Sequence, residues 1–470
     1  MSKRTRNRNI SLENIEIINT ASKGKAIAKH DGRVIFVKGA VPGDICNINV
    51  YKKRKKYWEA SIDKIIKESK LRTDPKCSHF GTCGGCKWQN MQYDSQLEFK
   101  QNEVLNNLHK IGGIELSKFD KILGCKEIYN YRNKMEFTFS NKRWLTKEEI
   151  ENNQKIIDKN ALGFHIPGMF DKVIDVKKCY LQKDPSNDIR ISIKEFALKN
   201  RLSFFDIKKQ EGLLRNLMIR TSTTGDLMVL IQFFYEDQEK IELLMNFLKD
   251  QFKEITSLLY TINNKANNTI YDQKIICYSG LKYINEKIED LSFKIGPKSF
   301  FQTNSRQAEV LYKSARKLAN ISKDDIIYDL YTGTGTIAQF VSKNAKKVIG
   351  IDSVPEAIEA ANESSKNNKI YNCSFFAGDM KNIFTDDFIS EHGRPDLIIT
   401  DPPRDGMHKK VVEQLLKIKS KRIVYISCNS ATQARDIALL KEKYLISKMQ
   451  TVDMFPHTHH IENILILELR

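Results

Sequence analysis

The feature that most restricts the fold is a strand, a glycine-rich turn, a helix and a second strand in the C-terminal part of the chain. Residues 326–330 are apolar and strand-like, Gly333 and Gly335 follow closely, and a second strand ends at Asp352. This alternation is typical of a parallel, doubly wound sheet, which binds ligands at the carboxyl ends of its strands. We therefore expect residues 291–470 to form an α/β Rossmann-like domain, with further strands over 397–400, 423–427 and 464–469.

The N-terminal part has short β-like runs separated by turn signals, which predict a small OB-like β-barrel over residues 1–69. Residues 1–76 carry 19 basic and 8 acidic side chains, a net +11 of the chain's +19. The basic run 52–56 precedes Tyr57 and Trp58, so cations could meet phosphates while aromatic rings stack on bases. This charge favours a polyanionic partner, but composition does not separate RNA from DNA or an anionic membrane. The basic run also fits an exposed hairpin tip.

A third domain is expected between these two, because 470 residues are too many for one or two small cores. Residues 70–290 mix strands and helices in an α+β pattern and begin with Cys77, Cys83 and Cys86 in a glycine-containing loop. Three such thiols with a fourth ligand fit zinc or an iron–sulfur cluster about equally well. A capping box at Ser95 predicts the start of a helix that two glycines end.

The sequence has no run of 18 or more apolar residues and no apolar signal-peptide core near its start. Its nine cysteines are spread over the whole chain. This distribution suits a reducing compartment, where thiols bind metals or act in catalysis more often than they form disulfides. We therefore expect a cytoplasmic protein that does not span a membrane.

The glycine-rich turn suits a nucleotide-like ligand. Its glycines allow close approach to the backbone, and Asp352 carries a carboxylate that can bind a ribose diol. The third glycine of the dinucleotide fingerprint is missing, which argues against NAD. The stretch Asp329 to Thr336 instead resembles motif I of S-adenosylmethionine-dependent methyltransferases. On this resemblance the cofactor contacts are Tyr331, Gly333, Gly335, Thr336, Asp352 and, for the adenine, Asp379.

The sequence Asp401-Pro402-Pro403-Arg404 follows a predicted strand, so Asp401 should lie at the ligand-binding edge of the sheet. The tetrapeptide resembles the Asp-Pro-Pro-aromatic motif of amino-group methyltransferases. Arg404 replaces the aromatic residue that would stack on the target base, so an exocyclic amine is the weaker prediction for the methyl acceptor.

Cys428 ends another predicted strand and Glu462 precedes the last one, so both should reach the same crevice. A lone cysteine at a strand end is more often a small apolar residue, but a pyrimidine ring carbon is a poor nucleophile until a thiolate adds to C6. The C5 proton must then leave, and Glu462 is a candidate base. His457, His459 and His460 lack a fitting fourth metal ligand, and we expect them to orient Glu462 or contact RNA.

Together these motifs resemble the TRAM-containing iron–sulfur RNA (uracil-5-)-methyltransferases over nearly the whole chain. The resemblance implies a TRAM-like RNA-binding barrel (1–69), a central domain with an iron–sulfur loop (70–290) and a methyltransferase domain (291–470). It makes Cys428 the nucleophile and Glu462 the proton acceptor. It adds Gln302 and Asp401 to the cofactor contacts, and it selects Cys77, Cys83, Cys86 and Cys179 as ligands of a [4Fe–4S] cluster, with Cys125 as the competitor of Cys179.

The resemblance further implies methyl transfer from S-adenosylmethionine to C5 of a uridine in 23S rRNA, through a covalent bond between cysteine and C6. Alternatives are the same reaction on tRNA, methylation of a nucleobase amine, and a non-catalytic iron–sulfur RNA-binding protein. The tRNA enzymes of this family generally lack the barrel, so tRNA is the second expectation. Neither a membrane nor an obligate protein partner is implied. The chain departs from the family pattern at Ser430, where proline is frequent, and at Asp352, where glutamate is frequent.

Overall fold

The computed structural model describes residues 10–115, 119–151 and 158–470, without the side chains of 147 and 148. The described residues form a closed barrel, two seven-stranded sheets and a two-stranded hairpin. None of the helices in these ranges combines the length and apolar character that a membrane crossing requires.

The strands are numbered in chain order. The barrel contains β1 (Ile10–Ala21), β2 (Lys25–His30), β3 (Arg33–Lys38), β4 (Ile45–Lys53) and β5 (Tyr57–Lys67). The central sheet contains β6 (Lys134–Ser140), β7 (Ala161–Ile166), β8 (Met169–Asp175), β9 (Leu214–Thr221), β10 (Leu227–Phe233), β11 (Ser257–Ile262) and β12 (Ile276–Gly280). The hairpin is β13 (Ile284–Ile288) and β14 (Leu291–Ile295). The C-terminal sheet contains β15 (Ile326–Leu330), β16 (Lys347–Asp352), β17 (Cys373–Ala377), β18 (Leu397–Thr400), β19 (Arg422–Ser427), β20 (Tyr444–Val452) and β21 (Glu462–Leu469).

The α-helices are numbered in the same way. Those before the hairpin are α1 (Tyr93–Lys110), α2 (Lys147–Glu151), α3 (Ser186–Lys199) and α4 (Gln238–Gln251). Those after it are α5 (Ser305–Ala319), α6 (Thr336–Ser342), α7 (Pro355–Asn367), α8 (Met380–Ile383), α9 (Asp386–His392), α10 (Lys409–Ile418) and α11 (Ser430–Leu440).

The N-terminal barrel closes in the strand order β1-β2-β3-β5-β4 and confirms the predicted small barrel. Its strands alternate buried and exposed residues, as a closed sheet with a filled interior requires, with Ile35 and Val37 fully buried. The basic run 52–56 lies at the β4–β5 turn, which is an exposed hairpin tip. Residues 1–9, which carry four basic side chains, lie outside the described ranges.

The C-terminal sheet has the order β17-β16-β15-β18-β19-β21-β20. The first five strands in this order run parallel, while β21 runs antiparallel to β19 and to β20. The predicted doubly wound sheet is therefore confirmed. The predictions for 326–330 and 397–400 coincide with β15 and β18 because their flanking turn residues leave little freedom at the strand ends. The prediction for the last strand was two residues short, and Glu462 is the first residue of β21, paired with Val452.

The central and C-terminal sheets share one hydrophobic core. Met228 and Leu230 of the central sheet pack in the same cluster as Phe293 of the hairpin and Ile327 and Val348 of the C-terminal sheet. The expected domain boundary at 290–291 lies at the tip of this hairpin. The hairpin packs into this shared core and so connects the two sheets.

Helix α1 differs from its prediction at its start. It begins at Tyr93, so Ser95 and Gln96 lie inside the first turns instead of forming a capping box. Both residues are buried, and the Gln96 amide bonds to backbone groups outside the helix.

Polar contacts along α1 join it to the C-terminal sheet. The Lys100 ammonium lies 2.7 Å from Asp453 Oδ1, and neither side chain has any exposed surface. Tyr93 donates a hydrogen bond to the other oxygen of Asp453 at 2.8 Å. Further along, Asn107 donates to the hydroxyl of Ser430 at 2.8 Å, which gives this departure from the family pattern a structural partner. The helix is thereby bonded to the segment that follows β20 and to the start of α11.

We expect Lys100→Met to lower the free energy of unfolding by about 3–5 kcal/mol, because it leaves the Asp453 carboxylate buried without its cation. Urea unfolding of the whole chain measures the change. Lys294→Met is the matched control: its partner Glu363 is 2.7 Å away but both side chains are largely exposed, so its loss should change stability by less than about 1 kcal/mol. Equal effects of the two variants would contradict a structural role for the buried pair.

Candidate active site

The glycine-rich turn between β15 and α6 uses three residues in the left-handed region, Tyr331, Gly333 and Gly335, with φ of 65°, 55° and 73°. At Gly335 a Cβ would lie 2.7 Å from the ring of Phe375 and 2.9 Å from Ala361, so a larger residue would clash with the packed helix. At Gly333 a Cβ would meet nothing within 4 Å. Gly335 is therefore required by packing, whereas Gly333 leaves the turn open on the side where a ligand can approach.

Two carboxylates hold this turn. Asp329, at the end of β15, is buried and accepts hydrogen bonds from Thr332 Oγ1 at 2.6 Å and from the backbone N–H of Ala338 at 3.0 Å. Asp352, at the end of β16, accepts from the N–H groups of Gly333 and Val354, both at 2.9 Å. Burial raises the pKa of Asp329 to about 7. Asp329 thus braces the turn from inside, while Asp352 lies at its rim.

The other predicted cofactor contacts surround this turn. Thr336 is buried at the start of α6, with its hydroxyl 3.3 Å from that of Thr334. Asp379 caps α8 and pairs with Lys381 at 2.9 Å, and the bond from Lys381 lowers its pKa. Tyr331 is largely buried, which raises its pKa to about 12, with the charges of Asp436 and Asp379 adding to the shift. The charge of Asp379 therefore acts on Tyr331.

Gln302 reaches the same crevice from the segment before α5. Tyr312 of α5 is buried, and its pKa is raised by burial and then by the charges of Asp401 and Glu462. The backbone carbonyl of Gln302 accepts from Asn133 Nδ2, next to the start of β6, at 2.9 Å. The loop that carries Gln302 is thus held from the central sheet side.

The three reactive candidates meet at one edge of the C-terminal sheet. Asp401 follows β18 and Cys428 follows β19, which are parallel neighbours. Glu462 begins β21, which runs antiparallel to β19 with Ser427 opposite Asn463. The start of β21 therefore lies at the same edge as the ends of β18 and β19. This reversal of the last strand brings a residue 34 positions after Cys428 beside it.

Burial and mutual repulsion dominate the electrostatics of this edge. Burial raises the pKa of Glu462 well above its usual range, the charge of Asp401 raises it further, and Arg404 opposes both. Burial raises the pKa of Asp401 to about 7. Two buried carboxyls this close hold one proton between them more readily than they ionise together. A cation bound at this edge would favour the fully ionised pair.

The Cys428 thiol has its pKa raised to about 11, first by burial and then by the charges of Glu462 and Asp401. The charge and hydrogen bonding of Arg404 act in the opposite direction. Arg404 is therefore the group that favours the thiolate and the Glu462 carboxylate. From the sequence, Arg404 served only as an argument against amine targets, and its effect on Cys428 and Glu462 was not predicted. Its position three residues after Asp401 was the one feature that could have indicated this role.

The three histidines before Glu462 form a neutral group. Burial lowers the pKa of His457, His459 and His460 to about 4 each. The ring of His457 lies against Tyr129, with centroids 4.5 Å apart. At neutral pH these rings therefore add no charge to the carboxylate edge.

Four cysteines line a separate cavity of about 410 Å³ in the central module, by which we mean residues 70–290 around the central sheet. They are Cys77, Cys83, Cys86 and Cys179. Gln89 Nε2 donates to the sulfur of Cys86 at 3.1 Å, and the N–H of Gly85 donates to that of Cys83 at 3.5 Å. Cys125 lies elsewhere, buried, with its sulfur 3.1 Å from the carbonyl oxygen of Asp453. Within the described ranges no three His, Cys, Asp or Glu side chains are grouped so as to hold a metal ion.

Comparison with known proteins identifies the family. The model of the tRNA (uracil-5-)-methyltransferase family matches residues 221–470, more than half of the chain. A protein of Bacteroides thetaiotaomicron named as an RNA methyltransferase is 53% identical over 453 residues, covering 96% of this chain and all of the relative. A Porphyromonas gingivalis protein with the same name is 50% identical over 460 residues, covering 96% of this chain and 99% of the relative.

The chain belongs to the tRNA (uracil-5-)-methyltransferase family. It is an S-adenosylmethionine-dependent RNA methyltransferase, and the non-catalytic alternative is excluded. A solved relative is the Pyrococcus abyssi tRNA (uracil-54, C5)-methyltransferase in complex with S-adenosyl-L-homocysteine, with 28% identity and a TM-score of 0.74. The match covers 96% of this chain and all of that one, so it extends into the N-terminal barrel. The presence of the barrel therefore does not by itself separate a tRNA substrate from an rRNA substrate.

We expect Asp352→Ala to weaken binding of S-adenosylhomocysteine to the methyltransferase about 10- to 100-fold, because the variant lacks the rim carboxylate and the bonds that it accepts from Gly333 in the turn and from Val354 after β16. Titration calorimetry measures the dissociation constant. Asp250→Ala, which removes an exposed carboxylate on α4, is the matched control and should bind normally. Unchanged binding by Asp352→Ala would contradict a ligand contact at the rim of the turn.

Proposed function

We propose that this methyltransferase transfers a methyl group from S-adenosylmethionine to C5 of a uridine in 23S rRNA. The observation that carries the proposal is the meeting of Cys428, Glu462 and Asp401 at one edge of the sheet, beside the glycine-rich turn. A thiol and a carboxyl base are the two groups that methylation of a pyrimidine ring carbon needs. Amine methylation needs neither group.

The proposed reaction begins with attack of the Cys428 thiolate on C6, which forms a carbon–sulfur bond and makes C5 nucleophilic. C5 would then form a bond to the methyl carbon of S-adenosylmethionine, and the bond from that carbon to the positively charged sulfonium sulfur would break, leaving neutral S-adenosylhomocysteine. Glu462 then takes the proton from C5 as its carboxylate. The electrons of that C–H bond restore the C5–C6 double bond, and the bond from C6 to sulfur breaks to release Cys428 as a thiolate.

The charged neighbours of these groups have separate parts in this proposal. Arg404 favours both anions that the reaction needs, the Cys428 thiolate and the Glu462 carboxylate. A sulfonium cation bound near Asp401 would lower the pKa of the coupled carboxyl pair. Binding of the cofactor would thereby ionise Glu462 before it is needed as a base.

The barrel is the proposed RNA-binding module. At its basic tip the Arg33 guanidinium lies 4.6 Å and the Lys53 ammonium 5.7 Å from the ring centre of Trp58. Lys23 of the same barrel is near enough to His459 for its charge to lower the pKa of that ring. RNA held by the barrel would therefore extend towards the reactive edge. The target base must leave its stack to reach C6 and C5 with the protein groups, so we infer that it is flipped out.

The proposed RNA is 23S rRNA, which the resemblance of the motifs implies. tRNA is the second candidate, favoured by the Pyrococcus abyssi tRNA (uracil-54, C5)-methyltransferase, which matches this chain over 96% of its length. We also propose that the enzyme acts in the cytoplasm and needs no obligate protein partner.

We further propose that Cys77, Cys83, Cys86 and Cys179 hold a [4Fe–4S] cluster. The support for this proposal is that four thiols line one cavity and that Gly85 and Gln89 donate hydrogen bonds to two of the sulfurs, although the four side chains as they stand are not grouped so as to hold a metal ion. Burial raises the pKa of Cys179, and the charge of Arg132, which also lines the cavity, opposes this rise and suits an anionic cluster. When bound, the cluster would supply a structural link between the loop of Cys77 and that of Cys179.

The substrate is tested by incubating oxygen-free enzyme with methyl-labelled S-adenosylmethionine and unmodified 23S rRNA or tRNA transcripts. Mass spectrometry of the nucleosides should find 5-methyluridine in the 23S rRNA. If the label appears in tRNA alone, tRNA is the substrate, and a methylated amine would contradict the proposed chemistry.

The methylation rate of Cys428→Ala should fall about 1,000-fold or more, whereas Cys277→Ala, which removes a thiol on β12, should retain activity. Glu462→Gln should accumulate a methylated protein–RNA complex, because the C5 proton is not removed.

The cluster is tested by iron and sulfide analysis of protein purified without oxygen. Wild type should hold about four iron and four sulfide per chain, and Cys179→Ser should lose most of both. Cys125→Ser is the matched control, since a serine hydroxyl can keep the bond to the Asp453 carbonyl. Zinc in place of iron, or equal loss in both variants, would contradict the proposed ligand set.

A further inference from the structure

The loop between β20 and β21, residues 453–461, leads directly to Glu462 and contains a strained turn. His457 has φ of 64°, in the left-handed region that a residue with a Cβ adopts only at a cost of about 1 kcal/mol or more. Such a conformation persists when the surrounding contacts require it. The contacts that hold His457 therefore also fix the backbone path that leads to Glu462, five residues later.

Both backbone polar groups of His457 are bonded to the segment that runs from the cysteine loop into α1. Its N–H donates to Gln96 Oε1 at 2.8 Å. Its carbonyl accepts from the N–H groups of Lys87 at 2.8 Å and Trp88 at 3.0 Å. Gln96 also holds that segment, since its amide nitrogen donates to the carbonyls of Trp88 at 2.9 Å and Met91 at 2.8 Å.

Gln96 belongs to one face of α1 that contacts the loop at several points. Tyr93, Gln96 and Lys100 are spaced three and four residues apart and so share a side of the helix. Tyr93 and Lys100 bond to Asp453, at the start of the loop, and Lys100 also donates to the carbonyl of Phe455 at 3.2 Å. Gln96 bonds to His457, in the middle of the loop. Gln96 has no exposed surface, so water cannot replace these bonds if it is changed.

We propose that Gln96 is a positioning residue for removal of the C5 proton. It holds the His457 turn in its left-handed conformation and thereby fixes where the Glu462 carboxyl lies relative to Cys428. The inference rests on the proposed function, in which Glu462 accepts that proton. It assigns the base its position through Gln96, 361 residues before His457, on a helix that contributes no strand to the C-terminal sheet.

The kinetic consequence is specific to one step. Cys428 and the glycine-rich turn are on other strands and keep their positions when the His457 turn relaxes. Addition of the thiolate and methyl transfer should therefore continue, while proton removal slows, since a misplacement of about 1 Å can lower a rate roughly 100-fold. The methylated RNA then stays bonded to Cys428.

Gln96→Leu, which is similar in size but has no polar group, tests the proposal in the whole chain. We expect kcat to fall about 10- to 100-fold with KM for both substrates within about twofold of wild type. On denaturing gels a methyl-labelled protein–RNA complex should accumulate and decay slowly. Gln101→Leu is the matched control on the same helix, because its side chain bonds to Asp120 and Ile122 outside the loop; it should release product normally.

Loss of activity without the labelled complex, or normal release by Gln96→Leu, would overturn the proposal. If Gln96→Leu does not fold, Gln96→Glu decides, because it keeps an acceptor for the His457 N–H. We expect its release rate to lie between those of wild type and Gln96→Leu, about 3- to 10-fold below wild type, and a wild-type rate would overturn the proposal.

The variant Glu462→Gln distinguishes failure of the positioning role from failure of the proposed function. If it traps the methylated complex and Gln96→Leu does not, the positioning role fails alone; if neither traps it, the proposed function fails as well.

Discussion

The buried ion pair between Lys100 and Asp453 is the interaction on which the arrangement of the active site depends. Neither side chain has exposed surface, so each charge is tolerated only while the other is present. The pair joins α1, which follows the cysteine loop, to the loop that leads into Glu462. With the hairpin β13–β14 filling the core between the two sheets, it makes the central module and the C-terminal sheet parts of one structure.

The second constraint is the topology of the C-terminal sheet. Parallel strands bring Asp401 and Cys428 to one edge, and the antiparallel last strand returns Glu462 to the same place. Burial at this edge raises the pKa of all three groups, and cations act in the opposite direction by favouring their ionised forms. Arg404 is the protein's own cation at this edge. A methyl donor that carries positive charge is matched to such a site.

Much of the fold was predictable from local sequence, because the strands of the C-terminal sheet are short apolar runs bounded by glycine, proline and aspartate. The start of α1 was not, because Ser95 resembles a capping-box residue and only the distant His457 turn explains why Gln96 is buried inside the helix. The start of the last strand was predicted two residues too late for a similar reason: pairing with Val452 extends β21 over Glu462. The role of Arg404 depends on the two neighbouring strand ends, which the sequence does not put side by side.

The sequence by itself determined the reactive residue types, their order and the strands and turns that carry them, since each depends on neighbours within a few positions. It also contained three clustered cysteines whose fourth partner no spacing rule could decide, with Cys179 and Cys125 as the rival candidates. Only the tertiary structure decided that Cys179 lines the cavity with Cys77, Cys83 and Cys86 while Cys125 bonds to Asp453. The physical reason is that burial, ion pairing and shared cavities arise from residues hundreds of positions apart, whose proximity depends on how the sheets pack.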